Sequence, residues 1–226
     1  MVWNKTPIPI GGIKMMKHAW DEKRVENHIA TYGPPDNPNP RYKNRMLLAS
    51  KQIIGDSVLD VACGLGHIYH TLNPKTLNYK GIDSSKDMIR IAKECAPDGI
   101  FAVGDAYDLS EEGMYDTVIA MSLLIHIEQE DLLHIIEQMW KHTRKALIFT
   151  IPIDKDFSKI VELNRKISEA IGTTLITHIS ENTLNGLLNK LKMRDVEKTP
   201  FPEGCFGYGL NDYLIRILRG GERCDD

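Results

Sequence analysis

Between residues 57 and 152, short apolar runs alternate with stretches of helical periodicity. Val58–Val61, Tyr79–Ile82, Ile100–Val103, Thr117–Ala120 and Ala146–Ile151 read as five strands. The last is almost wholly apolar, which predicts a central strand covered on both faces. A glycine-rich turn and a helix start follow Val58–Val61. Lys86–Cys95 reads as a helix with Ser84 as its N-cap. Gln129–Thr143 reads as another, with Leu132, Leu133, Ile136, Met139 and Trp140 on its buried face. This alternation predicts an α/β fold, a parallel sheet covered by helices on both faces.

Outside that block the pattern is looser. Helices are expected around Lys17–Ile29 and Arg41–Ile53. They flank Gly33–Pro40, where four prolines in eight residues rule out helix and central strand. Downstream, Phe157–Ile171 is amphipathic, and Ser180 caps a helix running to about Leu191. Met193–Thr199 and Tyr213–Leu218 read as two closing strands. The loop Pro200–Asn211 between them carries Phe201, Phe206 and Tyr208, an aromatic wall for a pocket or for an oligomer contact.

Composition narrows the class without changing the fold. The chain has 226 residues, 42% hydrophobic and 26% charged, as expected of one soluble globular domain. No run approaches the roughly 18 apolar residues of a membrane helix. The first twenty residues lack the apolar segment of an export signal. A cytoplasmic protein with no membrane partner is therefore expected. Cys63, Cys95, Cys205 and Cys224 are far apart with no CxxC pair, which predicts free thiols and no metal site. The H-x-x-H pair His67 and His70 has no evident third ligand. The net charge of −3 argues against nucleic acid as a partner. It is unevenly spread: residues 1–51 carry +5 and the remainder −8. A basic segment of this kind attracts an anionic substrate or forms a solvated face.

The most informative stretch is Val58–His67, an apolar strand running into Gly64 and Gly66. Glycines there let a backbone approach a ligand closely. Asp83 ends the second strand, 17 residues beyond Gly66, and suits the two hydroxyls of an adenosine ribose. Asp105 follows the third strand and suits the exocyclic amine of adenine. A dinucleotide site would need a third glycine where Tyr69 stands, and Asp60 would repel a pyrophosphate. Asp60 suits a ligand with a cationic amino group and no phosphate. S-adenosylmethionine is such a ligand, and NAD is not.

Four segments together resemble the class I S-adenosylmethionine-dependent methyltransferases. They are Leu-Asp-Val-Ala-Cys-Gly-Leu-Gly (59–66), Gly-Ile-Asp-Ser-Ser (81–85), Gly-Asp-Ala (104–106) and Tyr-Asp-Thr-Val-Ile-Ala-Met-Ser (115–122). The likeness covers roughly residues 55–152 and departs at Ala62, where the family usually has glycine. It implies a Rossmann-like, doubly wound, mostly parallel seven-stranded sheet with an antiparallel last strand. It also implies a cofactor domain over 54–226, with a helical insertion at about 153–178 and a helical cap over 1–53. By position, Asp60 would face the methionine amino group, and Ala62, Gly64 and Gly66 would pass beneath the methionyl and ribose portions. Asp83 and Ser84 would hold the ribose, and Asp105 and the Ala106 amide would read adenine. Met88 would pack on the adenine face or in the core, and Met121 and Ser122 would line the cofactor.

Methyl transfer is an in-line displacement that needs placement of the acceptor and, for a hydroxyl or ammonium, a base. His126, just after the fourth strand, is the leading base candidate, or else it caps the following helix. His178 is a second candidate. Tyr32 and Tyr42 flank the proline loop and either cover the cofactor or pack. Arg45 offers a fork for a ligand carboxylate. The expected activity is methyl transfer to nitrogen or oxygen of a small-molecule acceptor. An RNA, tRNA or protein substrate, or a cofactor-binding regulator without turnover, are the competing readings.

Overall fold

The computed structural model describes residues 20–72, 77–153, 177–202 and 212–220. Seven strands form one sheet in the order β3-β2-β1-β4-β5-β7-β6. They are β1 Ser57–Val61, β2 Asn78–Asp83, β3 Ile100–Val103, β4 Tyr115–Ala120, β5 Thr143–Pro152, β6 Asp195–Pro200 and β7 Asp212–Leu218. β1 pairs parallel with β2 and β4, β2 with β3, and β4 with β5. β7 runs antiparallel to both β5 and β6. The predicted strand set and the antiparallel closing strand are both present. β5 is central, between β4 and β7, and its residues from Ala146 to Pro152 are all buried. Such a strand needs apolar side chains on both faces. β6 is an edge, and its exposed, charged residues protect it from further pairing.

Five α-helices among the described residues accompany the sheet: α1 Glu22–Tyr32, α2 Pro40–Ser50, α3 Lys86–Cys95, α4 Leu132–Lys141 and α5 Glu181–Lys190. Local chemistry sets their ends. Asp21 caps α1 by accepting from the Arg24 amide at 3.0 Å. Asn39 caps α2 by accepting from Tyr42, with Pro40 at the first helical position. Asn39 also donates its side-chain amide to the Thr31 carbonyl at 2.8 Å. Gly33 leaves α1 at φ +85°, and a Cβ there would lie 2.9 Å from the Asn37 carbonyl. The proline segment is thus an ordered clasp holding α1 and α2 together.

Three local expectations are corrected. No α-helix follows the glycine turn: residues 64–68 form turns, and Tyr69–Thr71 make one 3-10 turn. Positive φ at Gly64 and Gly66 and the proline at position 74 leave fewer than two turns of chain for a helix. His67 and His70 therefore do not share a helical face. Ser85, not Ser84, caps α3, because its hydroxyl accepts from the Met88 amide while Ser84 stays exposed. In α4 the fully buried face is Leu132, Ile135, Ile136 and Met139, with Leu133 and Trp140 only half-buried. The expected helix Phe157–Ile171 and the aromatic residues Phe206 and Tyr208 lie outside the described residues. Phe201 is described, and its ring lies 4.5 Å from the Arg45 guanidinium.

Candidate active site

β1 connects to β2 on one side and β4 lies on its other side, so the order of strand addition reverses between the carboxyl ends of β1 and β4. Open α/β sheets bind ligands at such a switch point. A cavity of about 260 Å3 lies there. Asp60 and Ala62 reach it from β1 and the turn after it, Asp83 and Ser84 from β2, and Met121 and Ser122 from the exit of β4.

The floor is built by Asp83 and the turn it closes. Asp83 Oδ2 accepts from the Gly64 amide at 2.9 Å and Oδ1 from the Ser85 amide at 2.8 Å. A Cβ built on Gly64 would meet nothing within 4 Å, so this backbone lies open to a ligand at φ +54°. Gly66 differs: its Cβ would strike the Phe101 ring at 2.9 Å. That glycine serves close packing of the turn on β3, and it does not line the cavity. Ala62 holds φ +59°. A left-handed Cβ costs about 1–2 kcal/mol, partly offset by the entropy glycine would lose on folding. Ala62→Gly is expected to raise stability by about 1 kcal/mol, a gain of a few degrees in thermal unfolding.

Asp60 is fully buried and accepts from the Tyr79 hydroxyl at 2.7 Å. Burial pushes its carboxyl up to about 7, with Asp83 adding to the shift and the Tyr79 bond opposing it. Burial likewise raises Asp83, against its two backbone bonds. Two poorly hydrated carboxyls at one end of a cavity favour a cation or a set of hydroxyl donors.

The roof comes from the chain's first described segment. Trp20, Arg24, His28 and Tyr32 follow one another at i+4 and all line the cavity. The Ser85 hydroxyl donates to the Trp20 carbonyl at 2.8 Å and ties the roof to the start of α3. His28 lies 4.7 Å from Tyr32, 5.6 Å from Trp20 and 5.8 Å from His67, ring to ring. Burial, then His67 and His126, push His28 down to about 3. Burial brings His67 down to about 4, against its contact with the Gly33 carbonyl. Both rings are neutral at pH 7. His28 is absent from the sequence-based set, although the i+4 aromatic stripe signals it.

Of the expected residues, Asp60, Ala62, Gly64, Asp83, Ser84, Met88, Met121, Ser122, Arg45, Tyr32 and His126 converge on the cavity. Gly66, Asp105, Ala106 and His178 do not line it. The Asp105 carboxylate accepts from the Tyr107 amide at 3.0 Å, closing its own turn. His126 stands on the 3-10 turn Leu124–His126, with its ring 6.0 Å from Trp20. It does not cap α4, whose N-cap is Asp131. Met88 lines the cavity and also packs with Val25 and Leu65. Arg45 is buried and pairs with Asp212 of β7, while Nη2 donates to Ser122 Oγ and Thr150 Oγ1. Its fork is thus directed at β7 and β5. The Cys63 thiol is packed against Gly81, and burial holds its pKa well up.

Comparison with known proteins agrees with this geometry. Residues 58–146 match the family described as methyltransferase domain. Magnesium-protoporphyrin O-methyltransferase of Rhodobacter capsulatus is 31% identical over 104 residues, covering 44% of this chain and 46% of that protein. Demethylmenaquinone methyltransferase of Thermotoga maritima is 33% identical over 107 residues, covering 43% and 45%. The match thus spans about half the length of these curated relatives. Among solved structures, magnesium protoporphyrin IX methyltransferase of Synechocystis PCC 6803 with bound S-adenosylhomocysteine aligns at TM-score 0.69. It is 18% identical and covers 89% of this chain and 96% of that one. A SAM-dependent methyltransferase from Archaeoglobus fulgidus aligns at TM-score 0.67 and 17% identity, covering 88% and 100%. Residues 58–146 thus resemble the methyltransferase-domain family, and the fold of the chain is the one seen in these solved methyltransferase structures.

Proposed function

We propose that the protein transfers a methyl group from S-adenosylmethionine to a nitrogen or oxygen of a small-molecule acceptor. The observation that carries this reading is the pair Asp60 and Asp83 at adjacent strand ends, flanking the open Gly64 backbone in one roofed cavity. The donor set fits the cofactor. Asp60 suits its ammonium, Asp83 its ribose hydroxyls, Met88 its adenine, and Gly64 leaves room for its backbone-hugging chain. When bound, the cofactor supplies an electrophilic methyl on a sulfonium. The residues of this chain then place the acceptor and exclude water, which α1 and α2 do by covering the sheet ends. His126, which lines the cavity in edge-to-face contact with Trp20, is the candidate to take a proton from the acceptor. The curated relatives are named for magnesium-protoporphyrin and demethylmenaquinone, both small molecules, which supports the same acceptor class. No helix among the described residues is long and apolar enough to cross a membrane.

Calorimetric titration with S-adenosylmethionine, S-adenosylhomocysteine and NADH tests the reading. Micromolar binding of the sulfur ligands alone supports it, and a preference for NADH overturns it.

Asp60 gives the binding a pH signature. Its carboxyl is raised to about 7 in the free protein, so it is largely protonated below that pH. A bound ammonium needs the ionised form. Affinity is therefore expected to fall about tenfold per pH unit below 7. On the alkaline side it declines again above about pH 8, where a free α-amino group loses its own proton. The maximum lies between. Binding near pH 7 should release a proton, read as a dependence of the heat on buffer ionisation. Asp60→Asn should bind weakly at every pH and lose the acid-side slope. The raised pKa also means that the free protein's stability is full at low pH and declines as pH rises through about 7. The same variant should then be the more stable protein at pH 8.

A further inference from the structure

The roof of the cavity is a connected set of rings. Trp20, His28, Tyr32, Tyr42, His67 and His126 all line it. Their centroids are linked at 4.7–6.0 Å. Trp20 meets His28 and His126 edge to face, and Tyr42 meets His28 and His67 in the same way. Tyr32 and Tyr42 lie 4.7 Å apart with planes 35° from parallel. Edge-to-face and offset contacts of this kind hold rings in place and present a pre-formed wall of ring faces and edges. Such a wall is arranged before a ligand arrives, which lowers the ordering cost of binding.

The second observation is where the charge lies. Among the described residues, the carboxylates lining the cavity are Asp60 and Asp83. Both stand at the sheet end, where the cofactor reading already uses them. The ring-lined side offers an acceptor no carboxylate. The depressed pKa of His28 reports the same property: surroundings that expel a proton from an imidazole disfavour an ammonium beside it. A sulfonium in the adjoining cofactor site adds like-charge repulsion.

We infer that the ring-lined half of the cavity is the acceptor site, and that it takes an aromatic molecule bearing a hydroxyl, in preference to a saturated or cationic one. This inference rests on the methyltransferase reading. His28 and Trp20 are the specificity-determining residues, His28 by keeping the centre of the wall neutral and Trp20 by covering the His126 side.

The test uses the full chain saturated with S-adenosylhomocysteine and three probes of matched size. They are 2-naphthol, its saturated counterpart decahydro-2-naphthol, and 2-naphthylmethylamine, which is cationic at pH 7. Binding is read by calorimetry and by tryptophan fluorescence. The expected result is that 2-naphthol binds at least tenfold tighter than either of the others. Tyr32→Leu, with its thermal midpoint measured alongside, should weaken 2-naphthol about three- to tenfold, the size of one aromatic contact. If S-adenosylhomocysteine binds but the saturated alcohol or the amine binds as well as 2-naphthol, the inference is overturned and the cofactor reading stands. Failure of all three probes to bind at millimolar concentration overturns it equally. If S-adenosylhomocysteine itself does not bind, the methyltransferase reading falls and this inference falls with it.

Discussion

Arg45→Met is expected to cost about 3–5 kcal/mol, because it leaves a buried carboxylate without its cation. Arg45 and Asp212 are both almost fully buried, and their side chains are in direct ionic contact. The pair joins α2 to the first residue of β7. Nη2 of the same guanidinium reaches Ser122 Oγ at 3.2 Å and Thr150 Oγ1 at 3.3 Å, and the Phe201 ring lies against it. One side chain thus bolts the roof to β4, β5 and β7. At two to four degrees per kcal/mol for a chain of this size, the thermal midpoint should drop roughly 10 °C. The loss has a pH signature. Burial raises the Asp212 carboxyl, and Arg45 holds it down. Without Arg45 the folded-state pKa rises further above its unfolded value. The penalty is then smallest below about pH 4, where the carboxyl is protonated in folded and unfolded chains alike, and grows as pH rises. Melting curves at pH 5 and pH 8 should show the larger deficit at pH 8. Asp212→Leu added to Arg45→Met should recover most of the stability, because it removes the orphaned charge. A loss below 1 kcal/mol, or one independent of pH, would mean that the pair does not hold the roof. Ser122, at φ +61° with its amide on Thr150 Oγ1 at 2.8 Å, should shift with the bolt. Cofactor affinity should therefore weaken in the single variant.

The strands were legible because a sheet covered on both faces demands apolar runs. Val58–Val61 and Ala146–Ile151 could be read with no tertiary information. The antiparallel closing strand came from family resemblance, since periodicity carries no direction. Three features escaped the sequence reading, two of them because a distant partner decides them. Ser84 and Ser85 are equivalent in sequence, and the choice of cap follows from Asp83 accepting the Ser85 amide. Gly66 has the look of a ligand-facing glycine, yet what excludes a side chain there is Phe101 on another strand. Arg45 resembles a ligand fork until Asp212, 167 positions away, arrives beside it. His28 is the opposite case. Its stripe with Trp20, Arg24 and Tyr32 was visible, but an i+4 aromatic pattern indicates a buried face without saying what it covers. Asp105 and Ala106 matched a motif in sequence and still lie outside the cavity lining, with Asp105 occupied by Tyr107.

Asp83→Ala is expected to weaken S-adenosylhomocysteine binding at least about 100-fold, the loss of two charge-assisted hydrogen bonds at roughly 1.5–3 kcal/mol each. S-adenosylhomocysteine is the better probe because it lacks the sulfonium, so the change reports the ribose and the turn rather than methyl-centred charge. Asp83 does two jobs with one carboxylate. Its oxygens already accept from Gly64 and Ser85, closing the glycine turn and starting α3. Each oxygen keeps a further lone pair for a ribose hydroxyl. Alanine removes both functions, and the loosened Ser85 also releases its hold on the Trp20 carbonyl. Affinity should fall further than the ribose contacts alone explain. Stability should change less, because losing two amide partners is offset by removing a carboxyl that burial has raised. Asp83→Asn separates the two jobs. It keeps one carbonyl acceptor for the turn and lacks the charge, so its affinity should fall between wild type and alanine. The raised carboxyl gives the wild-type free protein a stability that declines as pH rises through the folded pKa, and the asparagine variant should lack that contribution. A folded Asp83→Ala protein that binds S-adenosylhomocysteine within threefold of wild type would remove the ribose from this strand end. The cofactor would then have to lie elsewhere than across β1 and β2.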